Sequence, residues 1–122
     1  NPWDYAARLG LARQLDVAGN LMEAEEHYRH LLPALDNREM FYHARFAYGS
    51  HAYRRAYALW QAGKPNEAMA WAQEAKIQME RSRKNAVFDG ARTEEYERVV
   101  AFIRWLDEAR VIAEPGVVPE LR

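Results

Sequence analysis

The chain has 122 residues and a mass of 14.2 kDa, the size of one domain, and 49% of its residues are hydrophobic. Its formal net charge of −1 excludes the strongly basic balance of a dedicated nucleic-acid-binding protein, so no nucleic acid is expected as a partner. The absence of cysteine excludes a disulfide framework, a thiol nucleophile and cysteine-based metal sites.

The sequence contains no candidate membrane segment. No apolar run approaches the roughly 18 residues that a bilayer-spanning helix needs. We therefore expect a soluble protein without a membrane span, for which a cytoplasmic location is favoured, although the lack of cysteine does not fix the compartment. The chain opens Asn1-Pro2-Trp3, without Met or an apolar signal core, and is expected to be a cut or processed fragment.

Charge is distributed unevenly along the chain. Residues 37–64 carry five basic residues against Glu39 alone, which gives this segment a balance of +4. Such a local excess influences the choice of partner more than the fold, because it creates a positive field over one part of the surface.

Two helices are predicted in the first third of the chain. The first begins at Asn1-Pro2, a capping residue followed by proline at the first helical position, and ends at Gly19-Asn20. The second begins at Leu21 and carries apolar residues at helical spacing as far as Leu35, with a kink or an end at Pro33.

Three further helices are predicted from capping residues, prolines and glycines. The third runs from the Asp36-Asn37 cap to Gln61, and Gly49-Ser50 could divide it in two. The fourth opens at Lys64-Pro65-Asn66 and reaches about Lys84, and the fifth is capped by Thr93 and stopped by Glu114-Pro115-Gly116. The sequence therefore predicts an all-α protein of about five helices.

An internal repeat is the most informative feature. The segment 18–24, Ala-Gly-Asn-Leu-Met-Glu-Ala, matches 62–68, Ala-Gly-Lys-Pro-Asn-Glu-Ala, at an offset of 44 residues. Each copy contains a helix end, a glycine turn and a new helix opened by Glu-Ala. The pattern predicts a helix hairpin that occurs twice, in which glycine makes the turn and small residues let the paired helices approach.

The repeat resembles the tetratricopeptide repeat family, whose pattern places Leu-Gly and Tyr on one helix and Ala-x3-Phe on the next. Leu11-Ala12, Leu15 and Ala24-x3-Tyr28 stand at these positions in the first copy, and Ala56, Leu59, Ala68, Ala72 and Ala75 in the second. The segment from Glu23 to Arg29 is also similar to the longer repeats of the kinesin light chain type.

The resemblance implies a right-handed array of antiparallel helix hairpins, an α-solenoid. Its expected parts within one domain, 1–113, are a first repeat at about 2–35, a second at about 37–84 and a closing helix at about 93–113. Residues 114–122 are expected to form a loose tail. The alanines at positions 12, 24, 56 and 68 should be buried where helices cross.

The resemblance also implies a binding groove lined by the first helix of each hairpin. Its positions fall on Tyr53, Tyr57 and Trp60 in the second copy, with Arg13 from the first helix. Tyr and Trp are favoured at binding hot spots because each combines an apolar body with a polar tip. An aromatic arc on a helix is equally typical of a helix packed between neighbours, so groove and core remain open alternatives.

Metal binding and catalysis have little support in the sequence. His27 and His30 lie one turn apart beside Glu23 and Glu26, but a metal site needs about four ligands and no further ligand is evident. No phosphate-binding glycine loop and no hydrolase motif occurs. The expectation is therefore a protein without a cofactor or metal that is not an enzyme.

Two large rings of the fifth helix, Phe102 and Trp105, lie outside its predicted apolar stripe, which is centred on Val99, Val100 and Ile103. A hydrophobic patch at these rings would support a weak homodimer. The alternative is that the loop at 85–89 folds back over them.

The function expected from these features is non-catalytic binding of a protein or peptide partner in the groove. A regulatory or sensor domain that binds a small ligand, and a self-associating structural domain, remain alternatives. A small ligand would need an enclosed apolar pocket, whereas a peptide would need an open trough.

Overall fold

The computed structural model describes residues 2–32, 39–82 and 90–112, which form five helices and, within these ranges, no β-strand. The helices are α1 (Pro2–Val17), α2 (Leu21–Leu31), α3 (Glu39–Gln61), α4 (Pro65–Arg81) and α5 (Gly90–Ile112). The predicted all-α class with five helices is confirmed. None of these helices has the length and hydropathy needed to cross a membrane over the part of the chain that is described.

The third helix reaches Gln61 as predicted and is continuous through Gly49 and Ser50, where a break was the alternative. One helix bound differs from the prediction, since α5 begins at Gly90, three residues before the predicted Thr93 cap. Ala91 and Arg92 are strong helix formers and extend the first turn toward the N-terminus. The predicted kink at Pro33, the 85–89 loop and the 114–122 tail lie outside the described residues.

The turns of the two hairpins have the same geometry. Gly19 and Gly63 take positive φ angles of 86° and 77°, in the left-handed region that glycine enters without strain. In each turn the glycine N–H donates to the carbonyl three residues back, at 3.0 Å, and the next N–H donates to the carbonyl five residues back. This is the Schellman arrangement, and its recurrence at an offset of 44 residues supports the predicted hairpin repeat.

The helices pack mainly with their neighbours in the chain. The most extensive contact joins α3 to α4, and α1 packs on α2 across the first turn. Contacts of α2 and α1 with α3 join the two hairpins, and α5 packs on α4. All four repeat alanines, at positions 12, 24, 56 and 68, are fully buried, which confirms their prediction as residues of the helix contacts.

The close contact of α3 with α4 depends on Gly49. A Cβ atom at this position would lie 2.7 Å from Cγ of Met79 and 3.2 Å from the carbonyl oxygen of Ala75. Because α4 backbone forms part of this wall, the helices would have to separate to accept a side chain. Close packing with α4 explains why a glycine in the middle of a long helix does not divide it.

We predict that Gly49→Ala destabilises the protein by about 1–3 kcal/mol, because the added methyl group overpacks the α3–α4 contact. Gly10→Ala is the matched control, since a Cβ atom at Gly10 meets nothing within 4 Å. That control should stabilise the protein by about 0.5–1 kcal/mol through helix propensity. Urea unfolding followed by circular dichroism measures both changes. Equal stabilisation by the two substitutions would show that α3 and α4 do not approach at Gly49.

Candidate functional site: a cleft between the odd-numbered helices

A cleft of about 270 Å³ opens between the three odd-numbered helices, with Tyr28 of α2 as part of its wall. Its lining side chains come from Arg13 and Val17 of α1, from Ala91, Arg92 and Glu95 of α5, and from five residues of α3, which are His43, Phe46, Ala47, Ser50 and Arg54. The α3 residues recur at intervals of three and four, which places them on one face of the helix.

Positive charge dominates the lining. Arg13, Arg54 and Arg92 each come from a different helix, and Glu95 is the acidic residue among them. Guanidinium groups hold carboxylate and phosphate oxygens through forked pairs of N–H donors, and they keep their charge at every physiological pH.

A buried carboxylate lies directly behind this lining. The Asp16 side chain has no solvent exposure, and its Oδ1 accepts a hydrogen bond from Nδ1 of His51 at 2.7 Å. Its Oδ2 lies 3.3 Å from Nη1 of Arg54 and accepts a longer hydrogen bond, 3.4 Å, from the Tyr28 hydroxyl. One carboxylate thereby joins α1 to α2 and α3, and it fixes the guanidinium of Arg54 at the cleft.

His51 is enclosed by aromatic rings. Its ring centroid lies 5.1 Å from that of Tyr28, 5.9 Å from that of Tyr48 and 6.1 Å from that of Trp71. Because Asp16 can only accept, Nδ1 of His51 donates, and Nε2 has no hydrogen-bond partner within the described structure. His51 is fully buried and does not itself line the cleft.

The same environment affects the phenol of Tyr28. Burial, reinforced by the negative charge of Asp16, raises the pKa of Tyr28 well above its ordinary value near 10. The hydroxyl therefore stays protonated and remains a donor to Asp16 throughout the physiological range.

On the α5 side, the guanidinium of Arg92 is held by two α3 residues. Nη2 of Arg92 hydrogen-bonds to Nδ1 of His43, so this imidazole nitrogen acts as the acceptor. The guanidinium carbon also lies 5.0 Å from the centroid of the Phe46 ring, a cation–π contact. The arginines contributed by α3 and α5 are thus both oriented by other side chains.

The structure brings Arg13 to the cleft, but the other three predicted groove residues lie elsewhere. Tyr53, Tyr57 and Trp60 sit toward the C-terminal end of α3 and contact rings of α5. Tyr57 is 40% exposed, whereas Tyr53 and Trp60 are half-buried. They form an aromatic contact between α3 and α5 outside the cleft lining, with only the Tyr57 ring substantially accessible.

The predicted outward position of Phe102 is wrong. Phe102 is only 4% exposed, and its ring contacts those of Tyr53 and Tyr57 at centroid distances of 5.6 and 6.2 Å. Among the side chains of α5 whose burial is described, from Gly90 to Ala109, the buried ones are Val99, Phe102, Leu106 and Ala109, a stripe rotated from the predicted one. Trp105 is half-buried against Trp60. A weak homodimer stays a prediction, and of its two proposed rings only Trp105 retains solvent exposure beyond a few per cent.

Sequence reasoning missed most of the cationic lining. The positive balance of residues 37–64 pointed to α3 but did not distinguish its arginines. Arg45 bonds to Gln78 of α4, and Arg55 stacks on Trp71. Successive residues of a helix point about 100° apart, so Arg54 faces the cleft while its neighbour Arg55 does not.

The metal-site hypothesis gains no support within the described residues, where no group of three or more potential ligands of the His, Asp or Glu type is close enough to hold an ion. Comparison of the chain with protein-family models, with curated proteins and with solved structures found no match. The cleft and the buried network behind it are therefore the basis for assigning a function.

We predict that Asp16→Asn destabilises the protein by about 2 kcal/mol, because it weakens the charge-assisted hydrogen bonds from His51 and Arg54. Asp107→Asn on the exposed surface of α5 is the matched control and should change stability by less than about 0.5 kcal/mol. Chemical denaturation at pH 7 measures both. A loss for Asp16→Asn no larger than that of the control would contradict the structural role of the buried carboxylate.

The raised pKa of Tyr28 predicts a loss of stability at high pH. The phenol ionises near pH 10 in the unfolded chain but only at higher pH in the folded one, so stability is full below about pH 10 and falls above it. When the pH is raised from 9 to 11, the free energy of unfolding of Tyr28→Phe should fall by about 1.4 kcal/mol less than that of the wild type, because the variant lacks this one ionisable phenol. Urea titrations at the two pH values measure this difference, and identical losses would contradict it.

Proposed function

We propose that this chain is a non-catalytic protein-interaction module that binds a segment of a partner protein in the cleft between α1, α3 and α5. The observation that carries the proposal is the cleft itself, to which three consecutive odd-numbered helices each contribute a guanidinium group. These cations, together with the apolar wall of Phe46, Ala47 and Ala91, suit the holding of a ligand by charge and contact.

The proposal includes a solenoid architecture of the tetratricopeptide type, with α1, α3 and α5 as the inner helices. The matching turns at Gly19 and Gly63 support this arrangement, as do the contacts that join α1 to α3. In such an array every first helix faces the same side, so a cleft lined by the odd-numbered helices is expected there.

A peptide segment fits the cleft better than a free small molecule. The volume of about 270 Å³ lies below the roughly 300–1,000 Å³ of typical small-ligand pockets, and polar groups dominate its rim. A cleft of this size accommodates a few side chains of a longer segment that continues over the surface on either side.

We predict that octapeptides selected from a random display library on the wild-type domain lose affinity at least about tenfold when Ala91→Trp fills the cleft. Ala91 is exposed and lines the cleft, so the indole blocks it without entering the core. Ala70→Trp, at an exposed position of α4, is the matched control and should bind the peptides like the wild type. Fluorescence anisotropy gives the affinities.

Peptides that bind the Ala91→Trp variant and the wild type equally would contradict cleft binding. Far-ultraviolet circular dichroism of both variants checks that the helices are retained, so a loss of affinity reports the cleft and not unfolding.

A further inference from the structure

The side chains that line the cleft indicate the chemistry of the ligand as well as the place where it binds. We propose that it recognises a carboxylate side chain, Asp or Glu, flanked by an apolar residue in the partner segment. This inference rests on the proposed function and specifies which peptides the cleft selects.

Three cationic side chains converge on the cleft. Arg13, Arg54 and Arg92 project to one cleft from three helices, whereas Glu95 is the acidic residue of the lining. Asp16 adds a second negative charge behind the wall, where it neutralises Arg54. These two carboxylates repel a second negative charge on the ligand, so the cleft suits a singly charged carboxylate better than a doubly charged phosphate.

Two of these guanidinium groups are preorganised by other side chains. Arg54 is held by the buried Asp16 carboxylate, and Arg92 is held by His43 and by the Phe46 ring. Fixed guanidinium groups lose little conformational entropy on binding, so more of the interaction with a carboxylate appears as affinity.

An apolar surface lies beside the charged groups of the cleft. Val17 lines the cleft with 78% of its surface exposed, next to a wall that includes Phe46 and Ala47. An aliphatic or aromatic side chain adjacent to the acidic residue would cover this surface, and its burial favours binding by about 25 cal/mol per Å².

Three octapeptide pools test the assignment. They carry Glu, Lys or phosphoserine at one fixed central position, next to a fixed Leu, and uncharged residues elsewhere. Fluorescence anisotropy should show the Glu pool binding the wild type at least about fivefold more tightly than the Lys pool. Arg13→Glu should abolish or reverse this preference, because it replaces the attracting charge.

Arg8→Glu is the matched control, since Arg8 is exposed on the same helix but does not line the cleft. It changes the net charge of the protein by the same amount and should retain the preference for Glu. Loss of the preference in both variants would assign it to the overall field of the protein and overturn the inference.

Three further outcomes distinguish a failure of carboxylate recognition from a failure of cleft binding. Equal binding of the Glu and Lys pools, with both weakened by Ala91→Trp, would overturn carboxylate recognition and leave cleft binding intact. Tighter binding of the phosphoserine pool than of the Glu pool would also overturn the carboxylate assignment. Failure of Ala91→Trp to weaken any pool would overturn both proposals.

Discussion

The arrangement of the first three helices depends on the hydrogen bonds and the ion pair that the buried Asp16 carboxylate forms. A fully buried charge is costly unless hydrogen bonds and an opposite charge surround it. Here the donors are His51, Tyr28 and Arg54, and they come from both neighbouring helices. The first hairpin is therefore fixed against α3 by directional contacts, which apolar packing alone does not provide.

A second buried carboxylate reinforces this junction. The side chain of Glu25 in α2 is 8% exposed, and it lies 3.0 Å from Arg29 on its own helix and 3.8 Å from Arg55 of α3. Arg54 and Arg55 thus pair with carboxylates of different helices, α1 and α2. Each pair connects one helix of the first hairpin to α3, and α1 and α3 form two walls of the cleft.

The long third helix has two roles along its length. Four cleft residues lie in its N-terminal half, from His43 to Ser50, and Arg54 lies in its C-terminal half. The C-terminal half also contributes Tyr53, Tyr57 and Trp60 to an aromatic contact with α5. Ring packing of this kind adds specific edge-to-face contacts to ordinary apolar burial. It holds α5 in place, and α5 in turn supplies Arg92 and Glu95 to the cleft.

The sequence by itself determined the helical class, the two glycine turns and the four buried alanines. These features are local: a positive φ requires glycine, and a recurring small residue marks a close helix contact wherever the hairpin occurs. Arg13 lies in the cleft lining, whereas Tyr53, Tyr57 and Trp60, which were expected beside it, contact rings of α5. The helical period alone does not show which neighbours pack on each part of α3.

Only the tertiary structure decided which polar residues are buried and which large rings are covered. Asp16 and His51 are 35 positions apart, and nothing in either local sequence indicates that they meet. Phe102 could face inward or outward on an amphipathic helix, and the packing of α5 on the α3–α4 hairpin turned it inward. A helical period defines stripes on a cylinder, but the neighbouring helices determine which stripe is buried.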